Sequence, residues 1–335
     1  MSKIRLKIAA TGAVLVLALA GCSAEGNNTG DDPSPAGQGE ETAAEGVEGK
    51  EICYVTLANS HPYVTPANEG AQAAADAAGV NLTIVSEEFS AATGAEQLNS
   101  CVSRGVDGIL LWPADENSYL PGLLKADAEG IPVVAIDTRA GDESMEYVQS
   151  FVGADKYDQG KISAQQLHEA LGGEGSIVVI AGQAGNGTEI ARSGGFLDEL
   201  EAMGSDLEIL ATVNADFDQQ KALVASRDLL TKYGDQIQGV YAQDDTMAKG
   251  FLQALEESGL GFTPIVVGIN GEQGAFDNIR EGTQYATILQ PPFRNGELAI
   301  ETLVKVMQGE TVDEMVPLEN TVVTAENIDE HEPAM

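Results

Sequence analysis

From Glu51 onward, apolar runs and alanine-rich amphipathic stretches alternate along the chain with a period of about 25 to 30 residues. The apolar runs predict strands at "ICYVTLA" (52–58), "NLTIVS" (81–86), "GILLWP" (108–113), "PVVAID" (132–137) and "SFVGA" (150–154). They continue at "SIVVIAG" (176–182), "EILATV" (208–213), "GVYAQ" (239–243), "PIVVGIN" (264–270) and "YATILQ" (285–290). These runs are continuous rather than alternating, which suits strands buried on both faces of a parallel sheet. Helices fill the gaps. Ala67, Ala71, Ala74 and Ala78 form one stripe, Leu223, Ser226, Leu230 and Tyr233 a second, and Ile300, Leu303, Val304 and Met307 a third. Thr65 and Pro66 are expected to open the first helix and Gly79 to stop it. Strict strand–helix alternation builds right-handed βαβ units. Ten strands exceed what one such sheet comfortably holds, so the pattern predicts two α/β domains, each a doubly wound, Rossmann-like parallel sheet.

The first 50 residues break this rhythm. Lys3, Arg5 and Lys7 precede an almost wholly apolar run from Ile8 to Ala20, the layout of a secretory signal peptide over 1–21. The run is shorter than the roughly 20 residues that a spanning helix needs. Leu19-Ala20-Gly21-Cys22 resembles a bacterial lipobox, which implies that Cys22 is acylated and becomes the new N-terminus. Residues 22–49 are rich in Gly, Pro, Ser and acids and hold no Lys or Arg. Such a segment cannot bury enough apolar surface to offset its ordering entropy, so it is expected to be a disordered acidic tether. The protein would then be exported and held to the outer face of the cell membrane by its lipid alone.

Charge narrows the partners. A formal net charge of −36 repels phosphate backbones and anionic headgroups, which argues against nucleic-acid binding. His61, His168 and His331 are far apart, and no Cys/His pair has ligand spacing, so neither a metal nor another cofactor is expected. Cys53 and Cys101 fall in one half-domain. In an oxidising compartment they could be bridged, and two buried thiols are an equal alternative.

In a doubly wound sheet, ligands sit at the carboxyl ends of the strands. There the sequence places His61 and Tyr63, Asp137 and Arg139, Arg192, Asp216 to Asp218 around Phe217, Asp244 and Asp245, Asn270, and Gln290. Carboxylates, amides and arginines match the paired donor and acceptor of a hydroxyl, and flat rings cover C–H faces. A neutral polyhydroxylated ligand fits that set. Asp155 and Asp245 read more simply as helix caps. Trp112, the one tryptophan, is expected in core or rim packing, with the cleft as the alternative. An enzyme is not expected. There is no G-x-S-x-G elbow, and "GQAGNGTE" (182–189) has Thr188 where a P-loop needs Lys.

The stretches "EGAQAAADAAGVNLTIV", "GVDGILLWPAD", "GIPVVAIDTR", "ARSGGF", "ADFDQQKAL", "VYAQDDTMAKGFLQAL" and "VVGINGEQGAFDNIREGTQYATILQ" carry a family resemblance over residues 51–325. The chain resembles the periplasmic-binding-protein type I family, close to the ribose-binding branch of sugar ABC-importer receptors. The resemblance implies two lobes, 50–152 plus 291–317 and 153–290 plus 318–330, joined by a three-segment hinge near Gly153, Gln290-Pro291 and Pro317-Asn320. It implies ligand contacts at Tyr63, Asp137, Arg192, Phe217 and Gln290, to which the strand-end pattern adds His61, Arg139, Asp244 and Asn270. Ribose binders have Asn at the place of His61, an aromatic at Val64 and Arg at Thr138, and Asn and Asp where Asp244 and Asn270 stand. The implied ligand is therefore a pentose, a linear polyol or a similar small carbohydrate. The resemblance further implies a monomer that hands its ligand to an ABC permease. A sensory protein reporting occupancy to a membrane receptor would use the same cleft.

Overall fold

A computed structural model describes residues 46–335, so the expected signal peptide, Cys22 and the tether up to residue 45 lie outside the described residues. Two six-stranded sheets form the body. The first runs β2 (Asn81–Ser86), β1 (Glu51–Thr56), β3 (Gly108–Leu111), β4 (Val133–Ile136), β5 (Ser150–Ala154), β11 (Met315–Leu318), with every neighbour parallel. The second runs β7 (Asp206–Asn214), β6 (Glu174–Ala181), β8 (Gly239–Ala242), β9 (Ile265–Asn270), β10 (Ala286–Leu289), β12 (Thr321–Thr324), and only β12 is antiparallel to its neighbour.

Burial follows position in the sheet. Central strands such as β3, β4 and β8 are buried at every residue, whereas the edge strands β2 and β7 expose alternate positions. That is the difference between a strand covered by helices on both faces and one at the rim. The strands β11 and β12 add to the ten expected from sequence. Each is a four-residue edge strand with a single buried residue; the first carries Pro317 and the second has only two apolar residues, Val322 and Val323.

The helices α1 (Val64–Ala78), α2 (Ala91–Arg104), α3 (Leu120–Ala128), α4 (Asp142–Met145) and α10 (Pro292–Met307) belong with the first sheet. With the second go α5 (Lys156–Leu171), α6 (Gly187–Met203), α7 (Gln219–Tyr233), α8 (Asp245–Ser258) and α9 (Gln273–Glu281). Two helix pairs approach at backbone distance through glycine. A Cβ at Gly70 of α1 would strike the Phe293 carbonyl of α10, and one at Gly160 of α5 would strike the Arg192 carbonyl of α6. Helix α1 starts one residue ahead of Thr65. Its N-cap Tyr63 has helical angles and no side-chain cap bond, and the Thr65 hydroxyl instead donates to the carbonyls of Asn59 and His61. At the other end Gly79, with φ 70°, closes the helix.

Cys53 of β1 and Cys101 of α2 are joined as a disulfide inside the core of the first sheet. Val47 is fully buried in the neighbouring core cluster, so the packed body begins ahead of Lys50. The chain passes between the sheets three times: from β5 into α5, from β10 into α10, and from β11 into β12.

Candidate ligand-binding site

The carboxyl ends of both sheets open on one small cavity between them. Eight of the nine residues expected from sequence line it: His61, Tyr63, Asp137, Arg192, Phe217, Asp244, Asn270 and Gln290. The ninth, Arg139, does not. It is exposed and its guanidinium lies 5.8 Å from the Phe151 ring centroid. The cause is a tight turn at Asp137, whose φ is 61°, where Thr138 N–H donates back to the Ile136 carbonyl. That turn sends Thr138, not Arg139, into the cavity.

The structure adds residues that the sequence pattern did not single out. Phe89, from the loop after β2, lines the cavity with Leu57, Asn186 and Thr188. Trp112, which the sequence did single out for core or rim packing with the cleft as the alternative, is both buried in the core and on the cavity wall, edge-on to Tyr63 at 6.0 Å, with its indole N–H donating to Thr138 Oγ1 at 3.2 Å. Backbone strain marks the same place. Among the described residues, six non-glycine residues have clearly positive φ; Phe89, Asp137, Phe217 and Asn270 line the cavity, and Glu88 and Asp216 immediately precede two of them. Such conformations cost of order 1–3 kcal/mol each and cluster where function fixes them.

The first wall centres on Asp137. Its Oδ1 accepts from Tyr63 Oη at 2.9 Å, Lys156 Nζ at 2.8 Å and Asn295 Nδ2 at 3.0 Å, while Oδ2 has no partner among the described residues. Proximity to this carboxylate and burial both hold the Tyr63 hydroxyl well above its ordinary range, with burial the larger cause. Tyr63 is therefore a fixed neutral donor. His61 is neutral too, because burial lowers its pKa. Its Nδ1 accepts from Tyr63 N–H at 3.2 Å, which puts the ring proton on Nε2, 3.3 Å from the Phe217 carbonyl. Both nitrogens are thus engaged by protein, and His61 spans the gap between the two walls rather than offering the cavity a free hydrogen bond.

The second wall centres on Arg192 and Asp244. Arg192 donates from Nε to Gln159 Oε1 at 2.9 Å and from Nη1 to the Gln243 carbonyl. Asp244 caps α8, accepting from Met247 N–H at 2.7 Å through Oδ1. Its Oδ2 is buried without a partner. Burial, and then the nearby Glu272 carboxylate, push the Asp244 pKa up to about 8, so the acid carries its proton at neutral pH. Asp245, expected as a cap, is not one. It sits in the first turn and accepts from Gly271 N–H, Glu272 N–H, Thr287 Oγ1 and Gln284 Nε2. Asp155 does cap its helix, accepting from Asp158 N–H at 3.1 Å.

The walls also touch directly. Thr138 Oγ1 meets Thr188 Oγ1 at 2.9 Å, Asn186 Nδ2 donates to the Ala114 carbonyl at 2.9 Å, and Gln183 Nε2 to the Phe89 carbonyl at 3.3 Å. The cleft is closed around the cavity. Among the described residues, no group of three or more His, Cys, Asp or Glu is arranged to hold a metal ion.

A two-lobed α/β body with a polar cavity between facing strand ends is the architecture of a solute-binding protein. Residues 52–311 match the family described as "Periplasmic binding protein domain", and the chain belongs to the type I periplasmic binding proteins of sugar ABC importers. The chain is 30% identical over 279 residues to the xylitol-binding protein of Mycolicibacterium smegmatis, covering 82% of this chain and 77% of that one. It is 30% identical over 272 residues to the ribose import binding protein of Escherichia coli, covering 81% and 90%. In three dimensions it is similar to an ABC transporter solute-binding protein of Agrobacterium vitis with bound D-fucose, with TM-score 0.79 and 29% identity over 83% of this chain and 97% of that one. A solute-binding protein of Mycobacterium smegmatis with bound glycerol gives TM-score 0.78 and 29% identity, covering 84% and 96%. These relatives are solute-binding proteins, not enzymes, and the family is extracytoplasmic. Among the described residues no helix is long and apolar enough to cross a membrane.

Proposed function

We propose that this protein captures a small neutral carbohydrate, a pentose, polyol or similar monosaccharide, and delivers it to an ABC importer. The observation that carries this is a pair of carboxyl oxygens left free on the wall of one cavity: Oδ2 of Asp137, whose bonds all fall on Oδ1, and Oδ2 of Asp244, an acid whose pKa burial raises to about 8. A hydroxyl can donate to the first and accept from the second. Tyr63, Phe89, Trp112 and Phe217 supply ring surface for the C–H faces. The ligand-binding set is His61, Tyr63, Asp137, Arg192, Phe217, Asp244, Asn270 and Gln290, with His61 serving closure. Relatives that bind xylitol, ribose, D-fucose and glycerol support the ligand class. Two lobes, 50–152 plus 291–317 and 153–290 plus 318–330, would open and close about the three crossings. The lipobox-like Leu19-Ala20-Gly21-Cys22 supports removal of 1–21, lipidation at Cys22 and attachment to the outer face of the cell membrane.

A thermal-shift panel of pentoses, hexoses and polyols tests the assignment. A ligand present at 100 times its Kd adds about 2.7 kcal/mol of stability, a shift of several degrees. A protein whose melting point no member of the panel moves does not have this function.

A further inference from the structure

Lys156 opens α5 at the first crossing between the sheets, and its side chain is buried, with 6% exposed. Lysine is almost never buried without a partner. Here Nζ donates to Asp137 Oδ1 at 2.8 Å and to Gln290 Oε1 at 2.7 Å, and lies 5.8 Å from the Tyr63 ring centroid. One ammonium group thus joins the first wall of the cavity to the second crossing. One turn along α5, the fully buried Gln159 continues the linkage. Its Nε2 donates to Gln290 Oε1 and to Asn320 Oδ1, each at 2.9 Å, while its Oε1 accepts from Arg192 Nε. Asn320, at the third crossing, donates to the Asp155 carbonyl and to Asp158 Oδ2, both at 3.1 Å. All three crossings and both charged walls therefore meet at the first turn of α5.

We propose that Lys156 and Gln159 are positioning residues for ligand binding, which orient Asp137 and Arg192 from the hinge. Lys156, Tyr63 and Asn295 together occupy Oδ1 of Asp137, so Oδ2 alone is left for a ligand. Lys156 also supplies the positive charge beside Asp137 that Arg139, turned out to solvent, does not. Gln159 takes the Nε edge of Arg192, which leaves Nη2 as the terminal nitrogen without a protein partner among the described residues. Neither residue needs to touch the ligand. The charged and titratable groups facing Lys156 are Asp137 from the end of β4, Tyr63 from the start of α1, Arg192 from α6, and Asp155 on its own element.

The proposal rests on the carbohydrate function for one readout and is independent of it for another. Burial lowers the Lys156 pKa to about 8, with Asp137 opposing the shift. In the unliganded protein, the Lys156 13Cε resonance should titrate near pH 8, and the midpoint should fall further in Asp137→Asn. A midpoint in the ordinary lysine range near pH 10.4, or one that Asp137→Asn does not move, overturns the hinge pair. With xylitol and D-ribose as probes, calorimetry on Lys156→Met should show roughly a 10- to 100-fold loss of affinity, and on Gln159→Leu a smaller loss. Affinity equal to wild type in Lys156→Met overturns the positioning role. If no pentose, hexose or polyol of the thermal-shift panel binds the wild type while Lys156 titrates near pH 8, the carbohydrate function fails and the hinge pair is supported.

Discussion

Asp137 and Asp244 are both buried carboxyl groups on the wall of one cavity, yet their surroundings differ in kind. Asp137 has three donors on one oxygen, including a lysine ammonium. Asp244 has one backbone donor, an empty oxygen and a second acid nearby. Burial alone penalises a charge; only a partnered one is tolerated at low cost. The first acid accepts from three donors in the structure, whereas burial and the nearby Glu272 raise the pKa of the second to about 8, which makes it a donor. Two residues of one type give the cleft opposite hydrogen-bonding roles, which is what a hydroxyl-rich ligand requires.

Breaking the first wall should do most. Asp137→Asn keeps one oxygen for the three donors but turns the ligand-facing Oδ2 into an N–H donor and leaves Lys156 buried without its counter-charge, so affinity should fall by about 3 kcal/mol or more, over 100-fold, in a calorimetric titration with the tightest member of the panel. A loss under tenfold would put the ligand elsewhere. Asp244→Asn should change affinity by less than about 1 kcal/mol at pH 7, because an amide can replace a protonated acid as donor. A loss as large as that of Asp137→Asn would show that Asp244 binds as a carboxylate.

A third carboxyl group sharpens the comparison from outside the cavity. Glu87 is fully buried at the end of β2, accepts from Tyr119 Oη at 2.7 Å, and has Oε1 unpaired. Burial pushes its pKa up to about 8. Glu87 and Asp244 both have folded-state values raised above unfolded values near 4. Their protonated forms favour the fold, so the stability they contribute is complete below about pH 4 and is lost as pH climbs through about 8. Melting curves between pH 5 and 9 should therefore fall with pH, less steeply in Glu87→Gln and in Asp244→Asn. Glu87→Gln should leave ligand affinity within twofold. A slope unchanged in both variants would show that these acids are ionised in the folded protein.

Much of the fold can be read in the sequence because its central strands are continuous apolar runs covered on both faces. The two strands that escape, β11 and β12, are short edges whose half-exposed residues resemble loop. Val47 is equally hidden, a lone apolar residue in a glycine- and glutamate-rich stretch. At the site, residues directly after long strands are easy to place. Phe89 is not, because a loop in left-handed conformation carries it to the cavity from an edge strand. Arg139 shows the opposite error, where one positive-φ turn at Asp137 redirects the next side chain. Lys156 and Gln159 look like the solvated first turn of a helix, and only the meeting of three crossings reveals why they are buried.

The most direct test is a crystal structure with the panel member that raises the melting point furthest. The ligand should lie between the walls with one hydroxyl donating to Asp137 Oδ2 and another within 3.2 Å of Asp244 Oδ2, a normal hydrogen-bond distance. A ligand bound outside this cavity, or one that leaves both oxygens untouched, would contradict the account.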